Sequence, residues 1–329
     1  MARRLSKEFF NWLNESTDGK DILDIISQYQ CLSLRMNGKS LKIYFQGCKI
    51  LVIHSNIKND IECDFEPLSK SYIKKKEAQL QSIIETGISI CNLQQYLDCV
   101  ISLISRNNKR IRQEEKIRQE ITAINNRSRE ATDTDFFIID QEYGVTTNNK
   151  TSKFDLIAIK WLSTSKNRKN FSASNIEIVV FELKQGSDAI GGTSKATTNK
   201  ADLKSHIKDF NDLQFDSKKL YDFKEDIINM FIQQVSLKGF FNPDIKAFKH
   251  LNKYLDPKNK KELKDIIENI PVKFGFVVSD YKSASKCLLE QIKQIPDTDD
   301  FLFATSSYMG YGLFDEFIIN RKQLLEKLV

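Results

Sequence analysis

Apolar positions recur at helical spacing twice at the start of the chain. Phe9, Phe10 and Leu13 form one stripe, and Ile22, Leu23, Ile25 and Ile26 form the next, which predicts two short helices. The run CLSLRMNGKSLKIYFQGCKILVIHS then reads as short strands punctuated by Asn37-Gly38 and Gly47. Both residues of an Asn-Gly pair accept positive φ, so a three-stranded meander is predicted. Residues 57–69 are acidic and predict an irregular segment. From Ser71 to about Arg106 the pattern is helical, interrupted at Gly87.

Beyond residue 105 the pattern changes character. NNKRIRQEEKIRQEITAINNR places Ile111, Ile117, Ile121 and Ile124 on one helical face, with arginine and lysine over the rest. DFFIIDQEYG, KFDLIAIKWL and NIEIVVFELKQG follow as three strands separated by polar turns. Then come a loop over 186–200, a helix in ADLKSHIKDFNDL and a helix from about Lys218 to Ser236. The strand VKFGFVVSD, a helix around 282–293, the strands FLFATSS and FDEFIIN, and a terminal helix complete the chain. This order predicts an α/β fold: a central mixed sheet flanked by helices over 105–329, preceded by a small α+β domain over 1–104. The N-terminal domain carries no catalytic constellation, so it reads as a structural module or as the route to a homodimer or a partner protein.

Composition narrows the chemistry. The chain has 329 residues, 40% of them hydrophobic, enough for a sizeable core. No run of 18 apolar residues occurs and the start, MARRLSKEFFNWLNES, forms no signal-peptide core, so no membrane partner and a cytoplasmic location are expected. The cysteines are scattered without a CxxC pair, and the three histidines (His54, His206, His250) lie far apart. Zinc is therefore disfavoured, and a metal would sit on oxygen ligands, as magnesium or manganese does. A net charge of +6 hints at a polyanionic partner.

The stretch NIEIVVFELKQG carries the chemistry. Its apolar residues read as a strand covered on both faces, yet Glu182 and Lys184 stand two apart and so share a face. The preceding strand carries one acid, Asp155, which a hairpin would bring close to both. Facing carboxylates repel unless a divalent cation lies between them, and a neighbouring lysine can then orient water or stabilise phosphate charge. The alternative is a buried ion-pair network without catalysis.

Asp155, a gap, then Glu182-Leu183-Lys184 resembles the D…(E)xK signature of the PD-(D/E)XK nuclease superfamily, with a restriction-endonuclease-like core covering roughly residues 105–215. Phe154 stands where the signature's nominal proline would be. The order helix, three strands, helix, strand matches that family's core. The resemblance implies a Mg2+- or Mn2+-dependent endonuclease acting on DNA ahead of RNA, in a bacterial defence setting. It implies that Asp155, Glu182 and the Leu183 backbone carbonyl hold the metal, with Lys184 beside the attacking water. It also implies a further acid from the preceding helix: Glu114 first, since it lies near the isoleucine stripe, and Glu120 second, with Glu115 pointing away.

Further candidates surround this set. Asp140 and Glu142 lie at the end of the first strand, and Gln185 follows the lysine. His206 is either a general base or a helix histidine packed on the sheet. Arg110 and Arg112 in the basic helix, with Lys195, Lys200 and Lys204 after the third strand, are expected to contact phosphates. GSDAIGGT, from Gly186, approaches a phosphate-cradling loop, but Gly192 replaces its lysine. The rival expectation is a non-catalytic nucleic-acid-binding or assembly protein on the same fold.

Overall fold

The computed structural model describes residues 3–57, 61–68, 77–106, 113–147, 150–185, 203–279, 286–297, 300–306 and 310–328. The chain divides into two compact units, residues 1–129 with 228–255, and residues 130–227 with 256–329. The division falls at 129/130 rather than at the expected 104/105.

The first unit opens with helices α1 (Lys7–Glu15) and α2 (Thr17–Ser27). Ser6 and Ser16 cap them, accepting the Phe9 and Gly19 amides. An antiparallel sheet follows in the order β1 (Leu32–Asn37), β2 (Ser40–Phe45), β3 (Cys48–Ile57), β4 (Ile61–Pro67). Gln46 and Gly47 both have positive φ, as a type I′ hairpin turn requires. Strand β4 occupies the stretch expected to be irregular. IECDFEP alternates acidic and apolar residues, so its charge masks a period of two, and it pairs with β3 from Ile57–Ile61 to Leu51–Pro67.

Helices α3 (Ala78–Thr86) and α4 (Ile90–Arg106) flank Gly87, as the pattern predicted. Helix α5 (Gln113–Asn126) was expected to open the second domain, but it belongs to the first unit. The physical tie is Gln119, whose side-chain oxygen accepts the Gly47 amide at 2.6 Å. Its Nε2 donates to the Cys31 and Tyr44 carbonyls at 2.9 and 3.1 Å. A buried amide on the helix thus completes the hydrogen bonding of the β1–β3 region.

The second unit is an α/β assembly on a mixed sheet. Strands β5 (Phe136–Thr147), β6 (Lys150–Lys160) and β7 (Glu177–Gln185) form an antiparallel meander. Helix α6 (Leu203–Phe215) follows, then α7 (Ser217–Ser236), whose residues from Ile228 onward belong to the first unit. After α8 (Lys260–Asn269), β8 (Val272–Ser279) returns parallel to β7. Helix α9 (Lys286–Lys293), β9 (Leu302–Ser306, parallel to β8), β10 (Ile319–Asn320) and α10 (Arg321–Leu328) complete it, in the sheet order β10-β9-β8-β7-β6-β5.

The expected strand FDEFIIN is mostly a 3-10 turn over Asp315–Phe317, with β10 only two residues long. Asp135 accepts the Asp315 amide at 2.9 Å and Lys160 pairs with the Asp315 carboxylate at 2.6 Å, which holds the segment out of the ladder.

The centre of the sheet is fully covered, with Ile178, Val179, Val180 and Phe181 all at 0% exposure. On one face Phe181 packs on Phe136 at 5.8 Å between ring centroids. A Cβ on Gly275 would meet the Phe181 ring at 2.9 Å, so the strand next door must be bare there. On the other face α6 lies over the sheet, with Phe210 stacked on Phe274 at 5.1 Å and Gln214 donating to the Val272 carbonyl. No helix among the described residues is long and apolar enough to cross a membrane.

Candidate active site

The β6–β7 ladder ends at Leu156–Phe181. One residue further, register sets Asp155 opposite Glu182, on the face that also carries Val180 and Lys184. In place of the next ladder bond, Asp155 Oδ2 accepts the Leu183 amide at 2.9 Å. A strand residue sends its N–H and C=O to the same side, so the Leu183 carbonyl also faces the β6 edge, where the ladder has stopped.

Glu182 is 5% exposed. Its Oε1 lies 2.9 Å from Lys184 Nζ and 3.1 Å from His206 Nε2, and those two nitrogens are 3.0 Å apart. One ring nitrogen cannot donate to the carboxylate and accept from the ammonium at once, so the two His206 contacts are alternatives set by its proton. Glu182 Oε2 is buried and has no hydrogen-bond donor. Burial, then the nearby Asp155 carboxylate, pushes the Glu182 carboxyl up to about 8, and the Lys184 contact offsets only part of this.

His206 reaches the site by a match of repeats. Four residues along a helix advance about 6 Å, and two along a strand about 6.6 Å. Helix α6 runs against β7 and β8, so His206, Phe210 and Gln214 meet successive same-face positions at Glu182, Phe274 and Val272. The sequence signal was present, because His206 sits one turn before Phe210 on the side holding Leu203 and Ile207. His206 was expected to be either a general base or a histidine packed on the sheet; the structure places it on Glu182 and Lys184.

The other candidates fall as follows. Asp140 pairs with Ile157 beyond a bulge at Ile139, is 2% exposed, and lies on the Asp155 face one row away. Glu142 is half-buried at the β5 position that register sets beside Asp155, with φ 54°, a left-handed conformation rare for a glutamate. Gln185 continues β7 and pairs with Ser279, so alternation puts it on the face opposite Lys184. Lys204 is exposed in the first turn of α6.

Glu114 and Glu120 lie on α5 in the first unit. Glu114 shares the buried side of the helix by spacing, one turn before Ile117 and Arg118, but it stands in the first turn and is exposed. Glu120 stands 3.7 Å from Lys116. Arg110, Arg112, Lys195, Lys200 and the GSDAIGGT stretch lie outside the described residues.

Among the described residues no group of three or more His, Cys, Asp and Glu side chains is arranged to hold a metal. The donor set at β6–β7 is instead a pair of acids with one backbone carbonyl. A donorless buried oxygen on Glu182, beside a second carboxylate that raises its pKa, is nonetheless the environment a divalent cation relieves. Compared with protein-family models, curated proteins and solved structures, the chain matches none of them.

Proposed function

We propose that this chain is a metal-dependent nuclease of the PD-(D/E)XK kind, hydrolysing phosphodiester bonds in nucleic acid, DNA ahead of RNA. The observation that carries the reading is the division of the Glu182 carboxylate. Oε1 is held by Lys184 and His206, while Oε2 is buried without a hydrogen-bond partner and the Asp155 carboxylate lies near enough to raise the Glu182 pKa. The connectivity supports it: three antiparallel strands, then helices, then a strand parallel to the third, with the acids where β6 and β7 part.

In this reading Asp155, Glu182 and the Leu183 carbonyl are the groups that would hold magnesium or manganese. Bound there, such an ion would supply positive charge for the phosphoryl oxygens and would favour a deprotonated water. Lys184 presents an ammonium on the same face, aimed at charge that develops on the phosphate as the attacking oxygen adds. His206 keeps Glu182 oriented through Oε1. Burial of the pair excludes bulk water and strengthens each of these electrostatic contacts.

A second reading, a nucleic-acid-binding protein without cleavage, draws on the Lys184–Glu182 ion pair, which can stand alone as a structural pair. Incubation with plasmid and single-stranded substrates over a magnesium titration separates the two. Cleavage that rises with magnesium and stops in excess EDTA is expected; full activity in EDTA, or binding without turnover at any metal concentration, rejects the nuclease reading.

A further inference from the structure

The sheet face that carries Asp155 and Glu182 continues past the site. Strands β5 and β6 run on beyond the end of the β6–β7 ladder as a hairpin paired from Tyr143–Phe154 to Thr147–Lys150. Alternation gives this hairpin two unlike faces. Tyr143, Val145, Ser152 and Phe154 are buried on one. There the Tyr143 hydroxyl bonds Asp226 at 2.8 Å and its ring packs edge-on against Phe223, both on α7. The opposite face presents Gly144, Thr146, Thr151 and Lys153, all exposed. Residues 151, 153 and 155 share a face, so this strip leads directly out of the acid pair.

In the other direction the same face is closed. Helix α6 covers it through the Phe210–Phe274 stack and the Gln214 bond to Val272, and Val180 and Ile178 are fully buried. A polymer seated at Asp155 and Glu182 therefore meets covered sheet on one side and bare polar hairpin on the other.

We propose that the strip Gly144, Thr146, Thr151 and Lys153 is the track along which the sugar–phosphate backbone of the nucleic-acid substrate leaves the site. The proposal rests on the phosphodiester reading given above. Its chemistry is that of a backbone contact: Lys153 offers an ammonium, and Thr146 and Thr151, with hydroxyls 2.9 Å apart, offer donors. None of the four side chains is acidic, and Gly144, opposite Lys153 in register, presents bare backbone for close approach. Such contacts position a strand without reading its bases.

The test is binding of labelled oligonucleotides (single-stranded DNA, single-stranded RNA and duplex DNA) in calcium over a salt series, with magnesium cleavage measured in parallel. Gly144 is the informative position, because a Cβ there would lie 3.8 Å from Thr151 Cγ2, an ordinary contact. Gly144→Ala should bind as wild type, Gly144→Asp and Lys153→Glu should each weaken binding roughly tenfold and lower the salt slope by about 1, and Gly144→Lys should tighten it. Lys166→Glu, an exposed charge outside the hairpin, should change nothing.

Melting temperatures check that each variant folds, and the gain from Gly144→Lys cannot come from misfolding. If the Gly144 and Lys153 charge variants all bind like wild type while wild type cleaves, the track is wrong and the nuclease reading stands. If wild type binds through the hairpin but never cleaves in magnesium, the track stands and the catalytic reading falls. If wild type binds none of the three oligonucleotides, both fall.

Discussion

His206 Nε2 lies 3.1 Å from Glu182 Oε1, so a residue from α6 grips one oxygen of an acid on β7. The other oxygen, Oε2, is buried without a hydrogen-bond partner. One carboxylate thus has a held end and an open end, and most of the expected behaviour of the site follows from that asymmetry.

Neutralising either acid should abolish cleavage and stabilise the metal-free protein. Asp155→Asn and Glu182→Gln remove one member of a repelling pair. The checks are single-turnover cleavage and melting temperature in EDTA at pH 8. A variant that cuts at the wild-type rate puts the site elsewhere.

The pH dependence has a definite sign. Glu182 titrates at about 8 in the folded chain against an ordinary value of 4.5. Between those values the folded state keeps a proton that the unfolded state releases, so stability falls as pH rises through this window. Metal-free melting temperature should decline from pH 5 to pH 8, with a flatter profile in Glu182→Gln. A wild-type profile that rises over this range contradicts the assignment.

Lys184 and the acids should separate in their effects. Lys184→Ala should lose about 10²–10³ in rate, the usual cost of one missing donor to transition-state charge, while metal affinity holds or improves. Lys184→Arg should recover little, because a planar fork does not replace a compact ammonium. Comparing cleavage with magnesium-induced thermal shifts distinguishes this from a structural counter-ion, whose loss would weaken metal binding as Asp155→Asn does.

His206 should act through Glu182. Loss of a group that orients a metal ligand commonly weakens metal binding by about 10–100-fold. His206→Ala should therefore shift the magnesium midpoint in thermal-shift titrations, and His206→Asn, which keeps a donor, should recover part of it. An unchanged midpoint in His206→Ala makes the histidine a packing residue only.

Gly275 supports the site from the far face. Its missing side chain admits the Phe181 ring, directly before Glu182. Gly275→Ala should cost about 1–3 kcal/mol through overpacking, measurable by urea unfolding. Cleavage by the folded fraction should fall less than in Lys184→Ala.

Much of the second sheet was legible along the chain. Branched and aromatic runs mark β5 to β9, and strict alternation puts Glu182 and Lys184 on one face. The hidden elements have physical explanations. Acidic residues at every second position disguised β4 as a loop. In α5 helical spacing aligns Glu114 with buried Ile117, Arg118 and Ile121, but its place in the first turn leaves it exposed, and periodicity does not show where along a helix the packing begins.

Local periodicity therefore determined that Glu182 and Lys184 share a face, since a pleated strand leaves each side chain only two directions, while the β6–β7 register set Asp155 opposite Glu182. Tertiary structure decided the rest. The near-equal advance of four helical and two strand residues laid His206 on Glu182, Gln119 bound α5 into the first unit, and burial left Glu182 Oε2 without a donor. Those outcomes depend on which surfaces meet across long stretches of chain, and no local pattern encodes that.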